Sequence, residues 1–101
     1  MKPTLGRIVH YVLNEQDAES INRRRTHARA HMHEHNLNAT GVIVHVGNEA
    51  HAGNIFPMMV VMSWPGDYVN GQVYLDGNDV YWATSKKEGD GLGTFHWPPR
   101  E

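Results

Sequence analysis

The sequence predicts a mainly β domain, a small SH3-like or OB-like barrel with one short helix. Three features predict it: short segments rich in β-branched and aromatic residues, turn residues between them, and an Asp-Gly hairpin turn at Asp76 and Gly77. The chain has 101 residues, which fits one core, so residues 1–101 are interpreted as a single domain. A roll of two sheets is the alternative that the same features allow.

The first predicted strand covers residues 7–13, which follow a glycine and are rich in β-branched and aromatic side chains. Side chains of a strand point alternately to its two faces. Val9, Tyr11 and Leu13 form the more uniformly apolar of the two sets. We therefore expect these three residues to face the core.

A helix is predicted over residues 15–25. Asn14 is a typical N-cap residue, and Asp17 stands at the third helical position, where a carboxylate interacts favourably with the helix dipole. Residues 26–38 show no apolar periodicity, and they are interpreted as a loop or as an extension of this helix.

The rest of the chain is interpreted as strands joined by polar, glycine-containing loops over residues 47–54 and 86–93. The nearly continuous apolar run 58–64 predicts a strand that is buried on both faces, in the core or against another subunit. A turn is predicted at residues 65–67. The strands predicted in this part are residues 40–46, 58–64, 69–75, 80–85 and 94–97, with 69–75 and 80–85 forming the hairpin.

The composition excludes several classes of function. The chain has no cysteine, which excludes disulfides, thiolate catalysis and cysteine-ligated zinc. Its formal charge of −2 does not suggest a basic nucleic-acid binder, and no apolar run approaches the ~20 residues of a membrane span. It also lacks the Gly-x-Ser-x-Gly motif of a nucleophile elbow. We therefore expect a protein that is not an enzyme, uses no cofactor, and contacts neither a membrane nor a specific nucleic-acid sequence.

Several segments carry a resemblance to known sequences. The chain opens with Met-Lys-Pro-Thr-Leu-Gly-Arg-Ile-Val-His-Tyr, and it later contains Val-Asn-Gly-Gln-Val, Leu-Asp-Gly-Asn-Asp and Trp-Ala-Thr-Ser. These segments resemble a family of short bacteriophage and prophage proteins. The resemblance covers most of the chain but skips its histidine-rich middle, and it brings no activity with it. It implies a phage origin and a place of action in the host cytoplasm.

Small phage proteins often act by occupying a host molecule, and some sequester the nucleotide signals of bacterial immunity. By that analogy, the first hypothesis is a homo-oligomeric protein that binds a nucleotide-like small molecule. Aromatic rings can stack on a base, and guanidinium groups match phosphate. The predicted roles are stacking by Trp82 and Trp97, phosphate contacts by Arg23 and Arg25, and polar selection by His51, Asn54 and Asn78. The complete predicted ligand-binding set is Arg23, Arg25, His51, Asn54, Tyr74, Asn78, Trp82, His96 and Trp97.

Two further hypotheses remain open. The chain can be a structural or protein-interaction module that binds a host or virion protein, with the methionine-containing run 58–62 at the interface. It can also be a histidine-dependent metal protein, because His27, His31 and His35 would share one face of a helix. In either case, three tryptophans exceed what so small a core needs, so we expect some of them to be partly exposed.

Overall fold

The computed structural model describes residues 2–35 and 47–99, and for residues 31–35 it describes the backbone only. The predicted strand at residues 40–46 lies outside the described residues. Among the described residues, no helix is long and apolar enough to cross a membrane. The elements are β1 (Ile8–Val12), α1 (Glu15–His35), β2 (Ile55–Trp64), β3 (Tyr68–Tyr74), β4 (Val80–Lys86) and β5 (Phe95–His96).

The strands form one antiparallel sheet in the order β4-β3-β2-β1-β5, so the prediction of a mainly β domain with a helix is confirmed. The hairpin of β3 and β4 is also confirmed, and a turn at residues 65–67 joins β2 to β3. Beyond the end of β4, Glu88 makes a single parallel bridge to Phe95 of β5. This bridge joins the segment that follows β4 to the edge strand β5, and the sheet itself is not closed.

One face of the sheet carries the core, and we call it the inner face. Val9, Tyr11 and Leu13 are fully buried there, as predicted from their alternation. Ala18 and Ile21 of α1 pack against this face. The buried core consists of Val9, Tyr11, Leu13, Ala18, Ile21, Ala50, Met58, Val60, Val69, Val73, Ala83 and Phe95.

The start of α1 is fixed to the sheet by a buried carboxylate. The Asp17 N–H donates to Asn14 Oδ1 (2.7 Å), and the Asn14 N–H donates to Asp17 Oδ2 (3.0 Å), which is a reciprocal cap. Asp17 also accepts hydrogen bonds from the hydroxyls of Tyr11 (2.5 Å) and Tyr81 (2.9 Å). Burial and the hydrogen bond to Asp17 raise the pKa of Tyr81 to about 12 and also raise the pKa of Tyr11. Both hydroxyls therefore remain donors at neutral pH.

Helix α1 is longer than the predicted residues 15–25, since it continues to His35. Of the two interpretations of residues 26–38, the helix extension is confirmed through His35. The segment contains no glycine or proline to break a helix, and it contains alanine and arginine, which favour one. Arg29 also holds the second half of α1, because its guanidinium donates to the Gly47 carbonyl oxygen (3.1 Å). The apolar period was therefore a poor guide to where this helix ends.

Within one chain, residues 58–64 are not buried on both faces, so burial in the core is wrong for the whole run, whereas burial against another subunit stays a prediction. Met58 and Val60 are fully buried, but Val61, Met62 and Trp64 are exposed. The reason is that the described core covers only the inner face, so alternate residues of β2 point away from it. A β-bulge between Val60 and Met62 then shifts the register and turns two consecutive apolar residues outward.

Candidate binding face

The side chains that alternate away from the core form a second surface, which we call the outer face. The register of four strands aligns Ile8 of β1 with Met59, Met59 with Gln72, and Gln72 with Trp82. These four residues form a row across β1, β2, β3 and β4. Trp82 is the most exposed member of the row, at 58%.

A second row of the outer face lies two residues further along each strand. Tyr74 of β3 pairs with Val80 of β4, so Tyr74 and Trp82 are diagonal neighbours within reach of each other. Toward the β5 edge of the same face, His10 of β1 pairs with both Pro57 and His96. The two imidazole rings meet edge to face, with centroids 5.7 Å apart. The outer face thus carries aromatic rings at both ends of this row.

The outer face is apolar and exposed. In the described part of the chain, eleven large apolar side chains are exposed. Of these eleven, only Leu5 and Leu92 lie outside the outer face and the bulge of β2. Antiparallel sheets covered on one side usually present polar residues to solvent on the other, so this surface is unusual. The other nine are Ile8, Ile55, Val61, Met62, Trp64, Tyr68, Tyr74, Val80 and Trp82.

The outer face carries no Asp, Glu, Lys or Arg on any of the described strands. Its polar members are neutral at pH 7, such as Asn70, Gln72 and Thr84. The nearest cations stand at its rim. The ammonium of Lys87 lies 5.3 Å from the centre of the Tyr68 ring, and Arg24 of α1 reaches the edge at β4. A ligand on this face would therefore meet rings and alkyl groups before it met a charge.

The structure separates the two tryptophans that were predicted to stack on one ligand. Trp82 points to the outer face, whereas Trp97 packs against the core and donates its Nε1–H to Glu88 Oε1 (3.2 Å). The two rings therefore lie on opposite sides of the sheet in one subunit. The expectation that some tryptophans are partly exposed is confirmed by Trp82 and by Trp64 (46%).

The guanidinium of Arg25, for which a phosphate contact was predicted, already has partners within the chain. The side chain is 4% exposed, and it donates to Asp76 Oδ1 (2.9 Å), to both oxygens of Asp79 (3.0 and 3.1 Å) and to the Asn48 carbonyl oxygen. A phosphate would have to displace two carboxylates from a buried position. Gly47 makes room for the cluster, since an added Cβ would lie 2.5 Å from Asp76 Oδ1 and 2.8 Å from the Arg25 guanidinium.

The charges of this cluster depend on one another. The hydrogen bond from Arg25 holds the pKa of Asp79 below its ordinary value. Burial opposes ionisation of Asp76, but hydrogen bonds from Arg25 and from the Asn48 N–H still hold the pKa of Asp76 below its ordinary value. The hydrogen bond to Asp79 in turn raises the pKa of Arg25. The cluster joins α1 to the loop between β3 and β4, and it acts as a structural bridge.

The other predicted ligand-binding residues do not converge on one place. Arg23 is exposed on α1, and Asn78 is exposed in the loop between β3 and β4. His51 lies in a local turn, in which its backbone N–H donates to Asn54 Oδ1 (2.8 Å). Of the predicted residues, Tyr74, Trp82 and His96 share the outer face. His96 lies on β5, at the opposite end of the sheet from the other two.

Arg24 is the residue that the sequence prediction missed. Its guanidinium donates to the Val80 carbonyl oxygen (2.8 Å) and lies 5.8 Å from the centre of the Tyr81 ring, one residue from Trp82. It keeps half of its side-chain surface exposed. The spacing of residues in a helix indicates this difference between Arg24 and Arg25. Arg25 follows the buried Ile21 by four residues and therefore points inward, whereas Arg24 lies at the side of the helix.

The histidine hypothesis is only partly covered by the described residues. His27, His31 and His35 all belong to α1, so their spacing places them along one side of the helix backbone. His27 is exposed, whereas the side chains of the other two lie outside the described part. Within the described residues, no group of three or more His, Asp or Glu side chains is placed to hold a metal ion.

We compared the chain with protein-family models, with curated proteins and with solved structures. No family model, curated protein or solved structure matches it.

Proposed function

We propose that this chain is a phage-encoded, non-catalytic binding protein whose outer face is its contact surface. The observation that carries the proposal is the set of nine exposed large apolar side chains on one uncharged side of the sheet and its bulge. Scattered apolar side chains are normal on a protein surface, but a patch confined to one face marks an interaction site.

The driving force follows from the exposed area. Covering apolar surface stabilises a complex by roughly 25 cal/mol per Å² before the entropic cost of association is subtracted. Trp82 and Tyr74 are large rings with one polar atom each, a type of residue that often dominates binding energy. We therefore propose that these two rings are among the main anchors of the contact.

A protein partner fits this surface better than a charged small molecule does. A partner that buries the face needs apolar side chains of its own, and it needs few charges, because none on the face would pair with them. This reasoning favours a host or virion protein. It places the apolar run of β2, through Met62 and Trp64, within the interface.

A nucleotide-like ligand is the second candidate, and a specific observation favours it. Arg24 is half exposed at the edge where Trp82 and Tyr74 lie. The phosphate of a base stacked on Trp82 would have to extend around the edge of β4 to meet this guanidinium, which lies over the inner-face ring of Tyr81. In this version Arg24 takes the role predicted for Arg25. Such a site would serve to sequester a nucleotide-type immune signal.

Three parts of the proposal have their own support. The phage origin and the place of action in the host cytoplasm rest on the sequence resemblance. The inference that the sheet curls toward a small barrel rests on the bridge between Glu88 and Phe95. Homo-oligomerisation is supported by the small size of the domain, because short chains bury a smaller fraction of their surface.

Oxidative footprinting of the purified chain tests the proposal. The protein is labelled in dilute buffer, in bacterial extract, and with a panel of cyclic nucleotides. We expect Trp82, Tyr74 and Met62 to become less reactive in extract, while the off-face control Leu92 keeps its reactivity. Protection of Trp82 and Tyr74 alone by a nucleotide, abolished by Arg24→Gln but not by Arg7→Gln, would support the second candidate. Unchanged reactivity of the outer face in every condition would contradict both.

A further inference from the structure

The outer face has a composition that suits contact with an identical surface. We infer that a second copy of this chain packs on it, outer face against outer face, about a two-fold axis. The inference rests on the proposed function, since it names a partner for the same contact surface, one that competes with a host or virion protein for it. Its observations are the absence of charge on the face, the exposed area, and the central row formed by Ile8, Met59, Gln72 and Trp82.

Charge is the first argument for a like partner. Each copy has a formal charge of −2, so a contact between two copies is weakened wherever it brings like charges together. The outer face avoids this cost, because no Asp, Glu, Lys or Arg of the described strands points to it. The same absence disfavours nucleic acids and anionic lipids, which bind through Lys and Arg.

Area is the second argument. Each of the nine apolar side chains exposes between 37% and 58% of its surface. At roughly 150–250 Å² for a large side chain, these exposures amount to on the order of 800 Å² in each copy, which is the share of one partner in a standard interface. The face thus holds as much apolar surface as a stable dimer needs.

Symmetry is the third argument. In a two-fold contact the same patch serves both subunits, so it must be complementary to itself. The central row has the aliphatic side chains of Ile8 and Met59 toward one end and the broad ring of Trp82 at the other end. Antiparallel application of this row to its copy sets each Trp82 against the partner's Ile8, so that a ring meets an aliphatic group. The same arrangement sets Gln72 against the partner's Met59, so the two Gln72 amides lie on either side of the axis.

Sedimentation equilibrium from micromolar to millimolar concentration tests the inference. We expect the wild-type chain to reach twice its monomer mass of 11.4 kDa. Ile8→Glu and, independently, Trp82→Glu should raise the dissociation constant about tenfold or more, because each buries a charge at the interface. Leu5→Glu and Leu92→Glu are matched controls on exposed apolar residues off the face, and they should leave the dissociation constant unchanged.

Circular dichroism verifies that each variant keeps its sheet. If one of the two face variants misfolds, the other still tests the inference. A wild-type chain that stays monomeric at every concentration would overturn the inference, as would dimers that both face variants leave intact. The proposed function fails separately. A monomeric chain whose outer face becomes protected in bacterial extract would retain the binding function and lose only the like partner.

Discussion

We expect the double variant Asp76→Asn with Asp79→Asn to lose about 3 kcal/mol of unfolding free energy, measured by urea denaturation. The guanidinium of Arg25 is 4% exposed, so without its carboxylates a cation stays buried and uncompensated. Breaking a buried ion pair usually costs about 3–5 kcal/mol. We expect the lower end of this range, because Asp76 and Asp79 are themselves 37% and 29% exposed. Asn retains the shape of Asp and part of its hydrogen bonding, so the loss of unfolding free energy measures the effect of removing the negative charges beside Arg25.

Two comparisons test this explanation. Asp90→Asn is the matched control, because Asp90 is exposed in a loop and should change the unfolding free energy by less than about 0.5 kcal/mol. The second comparison is pH. The pKa of both cluster carboxyls is depressed below 3.8, so their stabilisation is present above about pH 4 and is lost as the pH falls further. The difference between wild type and the double variant should shrink over that range; an equal difference at acid pH would refute the charge explanation.

We expect Gly71→Ala to lower the unfolding free energy by about 2 kcal/mol. Gly71 is buried on the inner face of β3, beneath Met58 of β2. An added Cβ would overlap Cγ of Met58 and lie 2.6 Å from its Sδ and 2.9 Å from the Met59 carbonyl oxygen. The side chain can move at some cost, but the strand backbone can do so only by disturbing the sheet.

The control and a rescue make this prediction specific. Gly91→Ala meets no atom within 4 Å, so it should be neutral or slightly stabilising. In a Met58→Ala background, Gly71→Ala should lose clearly less than in the wild type, because the two nearest atoms, Cγ and Sδ of Met58, are gone. Equal losses in the two backgrounds, measured by denaturant unfolding, would show that crowding against Met58 is not the cause.

The elements that follow from local pattern were predictable. The alternation in β1 identified Val9, Tyr11 and Leu13 as core residues, and the Asp-Gly turn identified the hairpin of β3 and β4. The cap at Asn14 and Asp17 was also evident in the sequence. These features depend on neighbours within a few residues, so the sequence carries them directly.

The candidate site was less predictable because it depends on which residues meet across the fold. The run of β2 was predicted to be buried in the core or against another subunit, since apolar composition alone does not show that only one face of the sheet is covered within the chain. Arg25 looked available for a phosphate until the fold placed Asp76 and Asp79 beside it, more than fifty residues along the chain. Trp82 and Trp97 likewise needed the sheet to show that they point to opposite sides.

The three tryptophan indole signals of the ¹⁵N-labelled chain test the central claim, that the outer face is the contact surface, most directly. Trp64 and Trp82 are exposed on that face, whereas the indole N–H of Trp97 donates to Glu88 on the inner side. As protein concentration rises or bacterial extract is added, we predict that the Trp64 and Trp82 signals shift or broaden while the Trp97 signal stays in place. A spectrum in which only Trp97 responds, or in which no indole responds under any of these conditions, would contradict the claim.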